Sequence, residues 1–504
     1  MSKSKSKAFC AHEAGEVPGA IVSGTREKVP VLEKAAWAAG GASDAIITTS
    51  IGQVALPVYN IGLGLDAGMV GLALAIPRAF DAILDPLMGN FSDNARTRWG
   101  RRRPFIFVGG ILVTLLYWLT WCPPRTWSPT WMFAYLISMS TCFYCAYTLY
   151  LIPHAALGFE LSSDYNERTR IMAYRAVFGS IGGLFLPFFL TWSKSTHWSP
   201  TGDVVIGIRW VTGIAGFVMM LAILAAAIFC KEPQGVQKQE KIKLWPAFKY
   251  TMTNRPFLIV IGIIMLVIVA CFLTGPFEIY VLRYYVAQGN EALGYWIYGV
   301  TGFLYGILGL IYTPIIAAVA TRIGKRVTLL GGIMLAAMAF LSTLYFYRPI
   351  PGSWFIHVPF ISTPLDIPKA TFWIMISKIM LSPGLTCVWI LGFSMIADVC
   401  DVDELKSGLR REGMFGAMYN TVVIKIGISA VTVITGMAVT WSGYKSGVVP
   451  SEAVLNNLRH TYAVIPAVIL AFAFLLTLYY PLSEKKLREV RAELASRKQA
   501  AAQP

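Results

Sequence analysis

The sequence predicts an all-α membrane protein with twelve transmembrane helices arranged as two halves of six. Of its 504 residues, 56% are hydrophobic and only 14% are charged, whereas soluble proteins are about a quarter charged. The apolar residues form runs of about 20, the length that spans a bilayer as a helix. The longest polar loop, residues 231–256, divides these runs six and six.

Twelve apolar segments follow one another along the chain and are numbered here in order. They lie at residues 34–60, 67–92, 104–122, 131–156, 171–193, 206–230, 257–285, 293–320, 326–347, 370–398, 414–442 and 461–481. The domains are therefore a tail at 1–33, a half at 34–230, the central loop at 231–256, a second half at 257–481 and a tail at 482–504. The first tail lacks the apolar core of a secretory signal. The basic last tail predicts a short amphipathic helix.

The net charge of +16 reflects membrane topology rather than nucleic-acid binding. The side of the bundle that holds both tails carries 31 of the 43 Lys and Arg residues, and the opposite side carries about eight. Positive loops remain in the cytoplasm, so both termini are expected there, in a multi-pass protein of the cytoplasmic (inner or plasma) membrane. The basic loops suit anionic lipid. Four cations fall inside segments: Arg78, Arg175, Lys378 and Lys425.

Two features indicate a transporter and exclude common enzyme classes. Short basic turns, "GNFSDNARTRWGRRRP" and "AAVATRIGKRVT", follow segments 2 and 8, which suggests a six-helix repeat. Secondary transporters built from such repeats bind substrate near the membrane midplane. The five histidines form no H-E-x-x-H motif, no Walker loop is present, and the eight scattered cysteines predict no disulfide framework. Transport must then use an ion gradient, without a cofactor and without a metal other than a coupling Na⁺.

Segment 2 contains three charges within "PRAFDAILDPLMGNFSDNARTRWGRRRP", residues 77–104. Arg78, Asp81 and Asp85 are three and four residues apart and share one helix face. Two carboxylates one turn apart need a cation or a proton between them, which favours a coupling-ion site. The alternative is a structural ion pair between Arg78 and Asp81. After Gly89, the residues Asp93 and Arg101 are expected in a cytoplasmic turn that latches two helices.

Other charges inside the first half lie on segments 1, 4 and 5, and a charge inside a membrane usually faces the bundle interior. Asp44 could accept hydrogen bonds from substrate hydroxyls, or it pairs with Arg175, whose guanidinium could equally fork onto hydroxyls. Thr148 could ligate a cation through its oxygen or bond its own helix. His154 could relay protons or be a satisfied interior histidine.

The second half offers a counterpart on segments 10 and 11. Trp389 suits stacking on a sugar face or simple packing, and Lys425 lies one turn from Thr421. A salt-bridge network that acts as a gate latch is expected on the side that holds the tails, in the loop between segments 10 and 11. Its members are Asp398, Asp401, Glu404, Arg410 and Arg411.

The segment 2 stretch resembles a signature of the glycoside–pentoside–hexuronide:cation symporters, the melibiose permease-like group of the major facilitator superfamily. Further matching stretches are "YTLYLIPHAALG", "SDYNERTRIMAYRAVFGSIGG", "ADVCDVDELKSGLRREG" and "NTVVIKIG". They follow the family order from about residue 34 to 480. The resemblance implies the major facilitator fold and cation-coupled symport of a sugar, glycoside or uronide.

By the same resemblance, the cation site comprises Asp81, Asp85 and Thr148. The substrate site comprises Asp44, Arg175, Trp389, Asn420, Thr421 and Lys425. Leu151 and Ala155 stand where melibiose permease has an aspartate and a stacking tryptophan. We therefore expect a substrate unlike melibiose, and H⁺ is as suitable a coupling ion as Na⁺.

Three alternative functions stay open at this point. A lysolipid or other amphiphile symporter of the same family would suit the apolar Leu151 and Ala155. A non-transporting membrane sensor would bind without flux, and a membrane-embedded enzyme would need a catalytic cluster that the sequence does not show. The expected partners are a small-molecule substrate and the lipid bilayer, not nucleic acid, and the expected state is a monomer.

Overall fold

The computed structural model describes residues 28–162, 164–232, 253–356, 365–407, 412–482 and 484–502. The first half contains seven helices. They are α1 Val31–Leu56, α2 Ala67–Asn94, α3 Arg103–Thr120, α4 Pro129–Glu160, α5 Tyr165–Phe185, α6 Phe189–Ser193 and α7 Val204–Phe229. A π-helical turn, Pro57–Gly62, continues α1, and a 3₁₀ turn, Leu186–Phe188, joins α5 to α6 at a proline.

The second half contains the remaining described helices and one hairpin. The helices are α8 Arg255–Tyr280, α9 Glu291–Ile323, α10 Lys325–Phe346, α11 Lys369–Ser407, α12 Glu412–Tyr419, α13 Ile428–Trp441, α14 Glu452–Leu478 and α15 Glu484–Ala502. Two π-helical segments, Val281–Val286 and Asn420–Gly427, extend α8 and join α12 to α13. Strands β1 Ser353–Ile356 and β2 Leu365–Pro368 pair antiparallel.

Eleven membrane-spanning candidates occur among the described residues, by length and apolar composition. They correspond to predicted segments 2–12. Segment 1 corresponds to α1, which is rich in small and weakly polar residues and carries Asp44, so it is less apolar than the others. The prediction of an all-α membrane bundle is confirmed.

Three local features differ from the expectation. The last span begins at Glu452 rather than 461 because the Ser451 hydroxyl caps the Val454 N–H. The β1–β2 hairpin was not predicted. The C-terminal helix α15 is long and packs against α11, where Arg491 pairs with Asp398 and Asp401.

Several contacts between the halves lie at one end of the bundle. We call the end with the start of α1 the tail end and the opposite end the far end. At the far end, Asn60 accepts hydrogen bonds from Tyr280 (2.7 Å) and, through its carbonyl, from Ser446 (2.6 Å). Lys194 pairs with Glu291 at 2.5 Å. The bundle is therefore closed at the far end.

Close packing of α2 on α13 depends on two glycines. A Cβ on Gly71 would lie 2.6 Å from the Thr432 carbonyl oxygen, and one on Gly436 would lie 2.4 Å from that of Ala67. Small residues at such crossings let helix backbones approach each other inside a membrane.

We predict that Gly71→Ala lowers the stability of the detergent-solubilised protein by about 1–3 kcal/mol, the usual effect of overpacking. Gly179→Ala is the matched control, because a Cβ there meets nothing within 4 Å, and alanine is the better helix former. Thermal unfolding measures both variants. Equal melting temperatures for the two would contradict the packing role of Gly71.

Candidate functional site

A cavity of about 340 Å³ lies between the two halves, below the far-end contacts. Four helices of the first half (α1, α2, α4 and α5) and four of the second (α8, α9, α11 and α13) line it. Most of the wall is apolar, and its charged side chains are Arg78, Glu278 and Lys378. A largely apolar cavity with few polar groups is typical of small-molecule sites.

The two carboxylates of α2 share one ammonium group. Lys425 Nζ lies 2.7 Å from Asp81 Oδ2 and 2.6 Å from Asp85 Oδ2, and it donates to the Asp81 carbonyl at 3.1 Å. Asp81 is fully buried and Lys425 is nearly so. The predicted substrate residue Lys425 is thus placed against the predicted cation residues Asp81 and Asp85.

Thr148 on α4 completes the cluster. Its hydroxyl donates to Asp81 Oδ1 and lies 3.4 Å from Asp85 Oδ1. The back-bond to its own helix, which the sequence left open, is not among the described hydrogen bonds of Thr148. Thr148 on α4 therefore contacts the Oδ1 atoms of the same two carboxylates whose Oδ2 atoms contact the ammonium.

The π-helical segment Asn420–Gly427 positions Lys425. Its wider turns interrupt the α-helical pattern between α12 and α13 and pack against α2. Such segments are frequent at functional sites. Residue spacing carries no clear signal for a π-turn, and for this reason the contact of Lys425 with α2 was not predicted.

Arg78 connects the carboxylate cluster to the cavity. Its Nη1 lies 3.7 Å from Asp81 Oδ2, and its guanidinium lies over the rings of Tyr144 (5.2 Å) and Tyr147 (5.7 Å). The ion pair with Asp81 that the sequence offered as an alternative is therefore present. Arg78, Asp81, Asp85 and Lys425 together carry no net charge, which suits burial in a membrane.

Asp44 and Arg175 form an ion pair nearer the tail end. Arg175 Nη2 lies 3.2 Å from Asp44 Oδ2, and the Tyr147 hydroxyl donates to Asp44 Oδ1. Both charged side chains are partly exposed. Tyr147 and Thr148 are adjacent on α4. This helix therefore contacts both the Asp44–Arg175 pair and the carboxylate cluster.

The other predicted substrate residues lie apart from the cavity. Trp389 is 38% exposed and packs edge-on against Phe272. Asn420 is exposed and Thr421 is half-buried in the π-helical segment. Among the described residues that line the cavity, none is Asp44, Arg175, Trp389, Asn420, Thr421 or Lys425.

His154 packs as an interior histidine. Its ring stacks on Trp37 at 5.3 Å, and its Nε2 lies 3.0 Å from the Trp37 carbonyl. The Trp37 indole N–H donates to the His154 carbonyl in return, also at 3.0 Å. This reciprocal contact holds α1 against α4 and corresponds to the packing alternative.

The tail end carries the predicted latch residues. Arg101 contacts both oxygens of Glu160 at 3.0 Å, and the Glu232 carboxylate accepts the N–H groups that begin α3. Asp398 pairs with Lys325 (2.6 Å) and with Arg491 (2.7 Å), and Arg491 also reaches Asp401. Glu404 lies on α11. The side chain of Asp93 and residues 408–411, including Arg410 and Arg411, lie outside the described part of the chain.

A second tail-end pair joins the start of α1 to α5. Lys34 Nζ donates to Glu167 at 2.8 Å, and the Val29 N–H donates to the same carboxylate. These two donors hold the pKa of Glu167 below its usual range.

A charged pair in the cavity wall was not predicted from the sequence. Glu278 on α8 accepts a hydrogen bond from Lys378 on α11 at 2.6 Å and one from the Tyr347 hydroxyl at 2.7 Å. The signal was available, because Glu278 is an ionisable residue inside an apolar run.

We predict that Lys425→Met lowers the free energy of unfolding by about 3–5 kcal/mol, because it leaves the buried Asp81 and the half-buried Asp85 carboxylates without their ammonium. Asp81→Asn combined with Lys425→Met restores part of that loss, since it removes one charge of each sign. The exposed Lys445 provides the control Lys445→Met. A Lys425→Met protein that melts like the control would contradict the pairing.

Comparison with known proteins assigns this chain to a family. The family described as MFS/sugar transport protein matches residues 37–484. The glucuronide carrier protein homolog of Escherichia coli (strain K12) is 25% identical over 88% of this chain and 91% of its own length. The sodium-dependent lysophosphatidylcholine symporter 1 of Gallus gallus is 24% identical over 93% of this chain and 90% of its own.

Solved structures agree on the fold. A bacterial homolog of the human lysosomal transporter Spinster superimposes with a TM-score of 0.62 at 15% identity, covering 90% of this chain and 98% of its own. The nucleoside transporter NupG gives a TM-score of 0.60 at 13% identity, covering 90% and 100%. The fold is that of the major facilitator transporters rather than of an enzyme, and the chain belongs to the MFS/sugar transport protein family.

Proposed function

We propose that this protein is a cation-coupled symporter of a sugar, glycoside or uronide, driven by H⁺ or Na⁺, and that it works as a monomer. The observation that carries the proposal is the Lys425 ammonium between Asp81 and Asp85, directly beside a cavity between the halves. Relatives support the substrate class, among them an isoprimeverose transporter of Lactiplantibacillus pentosus, 24% identical over 84% of this chain and 82% of its own length.

The coupling ion acts by replacing the ammonium. A proton on Asp85, or a Na⁺ held by oxygens of Asp81, Asp85 and Thr148, neutralises negative charge at this site. The electrostatic attraction that holds the Lys425 ammonium between the carboxylates then becomes weaker. Lys425 belongs to the second half and the carboxylates to the first. Ion binding therefore changes an interaction across the two halves, which is the differential contact that a two-state mechanism requires.

Substrate binding is linked to this change through α4 and α2. Tyr147 and Thr148 bond Asp44 and Asp81 respectively, and Arg78 reaches from the cluster to the cavity wall. A substrate that engages Arg78 or the Asp44–Arg175 pair therefore shifts groups that also hold the ion. Rocking of the halves would open the far end and close the tail end.

A lysolipid is a second candidate substrate, favoured by a specific observation. An apolar groove of about 330 Å³ lies between α1, α5, α6 and α7. Its wall includes Phe185, Phe189, Trp192 and Trp198. A groove of this kind suits an acyl chain, whereas a sugar would gain little from it.

We predict that wild-type protein in liposomes accumulates its substrate against a gradient only with an inward H⁺ or Na⁺ gradient. The panel contains D-xylose, D-glucose, isoprimeverose, methyl β-D-glucuronide and lysophosphatidylcholine. Asp81→Asn and Asp85→Asn abolish accumulation because they remove the carboxylates of the ion site, while facilitated exchange persists. The exposed Glu452→Gln is the control. Uphill accumulation by both aspartate variants would contradict the coupling site.

The orientation is also part of the proposal, with both termini in the cytoplasm. We predict that an epitope inserted at Gly447, in the exposed far-end loop, binds antibody on intact cells. An epitope at the C-terminus binds only after permeabilisation. The reverse pattern would contradict the orientation that the positive loops imply.

A further inference from the structure

The Glu278–Lys378 pair lies in the cavity wall contributed by the second half, away from the carboxylates of α2. Glu278 lies in the last turn of α8, before its π-helical extension, and Lys378 lies in the first third of α11. Both side chains line the cavity and are more than nine-tenths buried. We propose that this pair binds two neighbouring hydroxyls of a sugar ring. The inference rests on the proposed sugar-symport function and extends it.

The geometry leaves hydrogen-bonding capacity on both partners. An ammonium has three donors, and the described hydrogen bonds of Lys378 use one, to Glu278 Oε2 at 2.6 Å. Its charge also lies 5.6 Å from the centre of the Tyr305 ring. Glu278 accepts from Lys378 and from Tyr347, and a carboxylate has about four acceptor positions. A donor and an acceptor therefore stand one hydrogen bond apart at the cavity surface.

That arrangement matches a pair of adjacent ring hydroxyls. One hydroxyl accepts from the Lys378 ammonium, and its neighbour donates to the Glu278 carboxylate. Both are charge-assisted hydrogen bonds, which are the stronger kind. The rings of Tyr298 and Tyr305, also in the cavity wall, offer the apolar surface that a sugar face requires.

The opposite wall supplies a further donor. Arg78 is 7% exposed, lines the same cavity, and its Nη1 makes no hydrogen bond within the described part of the chain. A sugar between Arg78 and the Glu278–Lys378 pair contacts both halves at once. A ligand held in this way links the halves, as a transported substrate must.

A purely structural ion pair is the competing explanation, and the chain contains a matched example. The Lys34–Glu167 pair has the same residue types, a comparable separation of 2.8 Å, and side-chain exposures of 9% and 3% that equal those of Lys378 and Glu278. It lies between α1 and α5 and does not contribute to the cavity wall. Equivalent substitutions in the two pairs therefore separate binding from stability.

The experiment measures sugar affinity by isothermal titration calorimetry on full-length protein in detergent. D-xylose, D-glucose, methyl β-D-glucoside and isoprimeverose identify the tightest ligand, and its monodeoxy analogues then probe each hydroxyl. We expect Glu278→Gln and Lys378→Met to raise the Kd of that ligand about tenfold or more, the effect of losing a hydrogen bond to a charged group. We expect Glu167→Gln and Lys34→Met to leave the Kd unchanged.

The deoxy analogues identify the contact. One analogue binds wild-type protein about tenfold more weakly, and Glu278→Gln does not distinguish it from the parent sugar. If Glu278→Gln does not fold, Lys378→Met provides the same test, with the analogue that lacks the hydroxyl bound by Lys378 compared with the parent sugar.

Wild-type affinity in the folded Glu278 and Lys378 variants would overturn this inference alone, and the coupled transport of the proposed function would stand. The inference would also be overturned if the Lys34 and Glu167 variants lost as much sugar affinity as the Lys378 and Glu278 variants. Absence of sugar binding by the wild type would overturn both this inference and the proposed sugar substrate.

Discussion

The contact of one ammonium with two carboxylates holds the centre of this protein together. Lys425 lies within 2.7 Å of both Asp81 and Asp85, and these groups come from different halves of the bundle. Without the ammonium, the buried Asp81 and the half-buried Asp85 would leave an excess of negative charge inside the bundle, which a membrane interior tolerates poorly. The position of α13 against α2, the π-helical segment that carries Lys425 and the shape of the cavity beside it all accommodate this contact.

Charges elsewhere in the bundle follow the same rule of local neutralisation. Arg175 balances Asp44 and Lys378 balances Glu278, while Glu291 pairs with both Lys194 and Arg283. The pairs differ in what surrounds them. Lys378 and Glu278 face a cavity that a ligand can enter, whereas Lys194 and Glu291 join the halves at the closed far end. We therefore infer that the surroundings of each ion pair, rather than its chemistry, decide whether it binds a ligand or holds the two halves together.

The sequence predicted the bundle well because runs of about 20 apolar residues have one stable outcome in a bilayer. Spacing on one helix also placed Asp81 and Asp85 on a shared face, whereas Thr148, on another segment, joined them only through the family resemblance. The contact of Lys425 could not be predicted, because a π-turn changes which face a residue occupies and leaves no pattern in composition. Glu278 could have been found from its place in an apolar run. Its partner Lys378 is about 100 residues away, and only the packing of α8 on α11 reveals the pair.

We propose that the coupling ion takes the place of the Lys425 ammonium. The most direct test is an experimental structure determined twice, once without Na⁺ at alkaline pH and once saturated with the ion that drives transport. We expect Lys425 Nζ to contact both Asp81 and Asp85 in the first structure and to have moved away from at least one of them in the second. An ammonium that still bridges both carboxylates in the ion-loaded protein would contradict it.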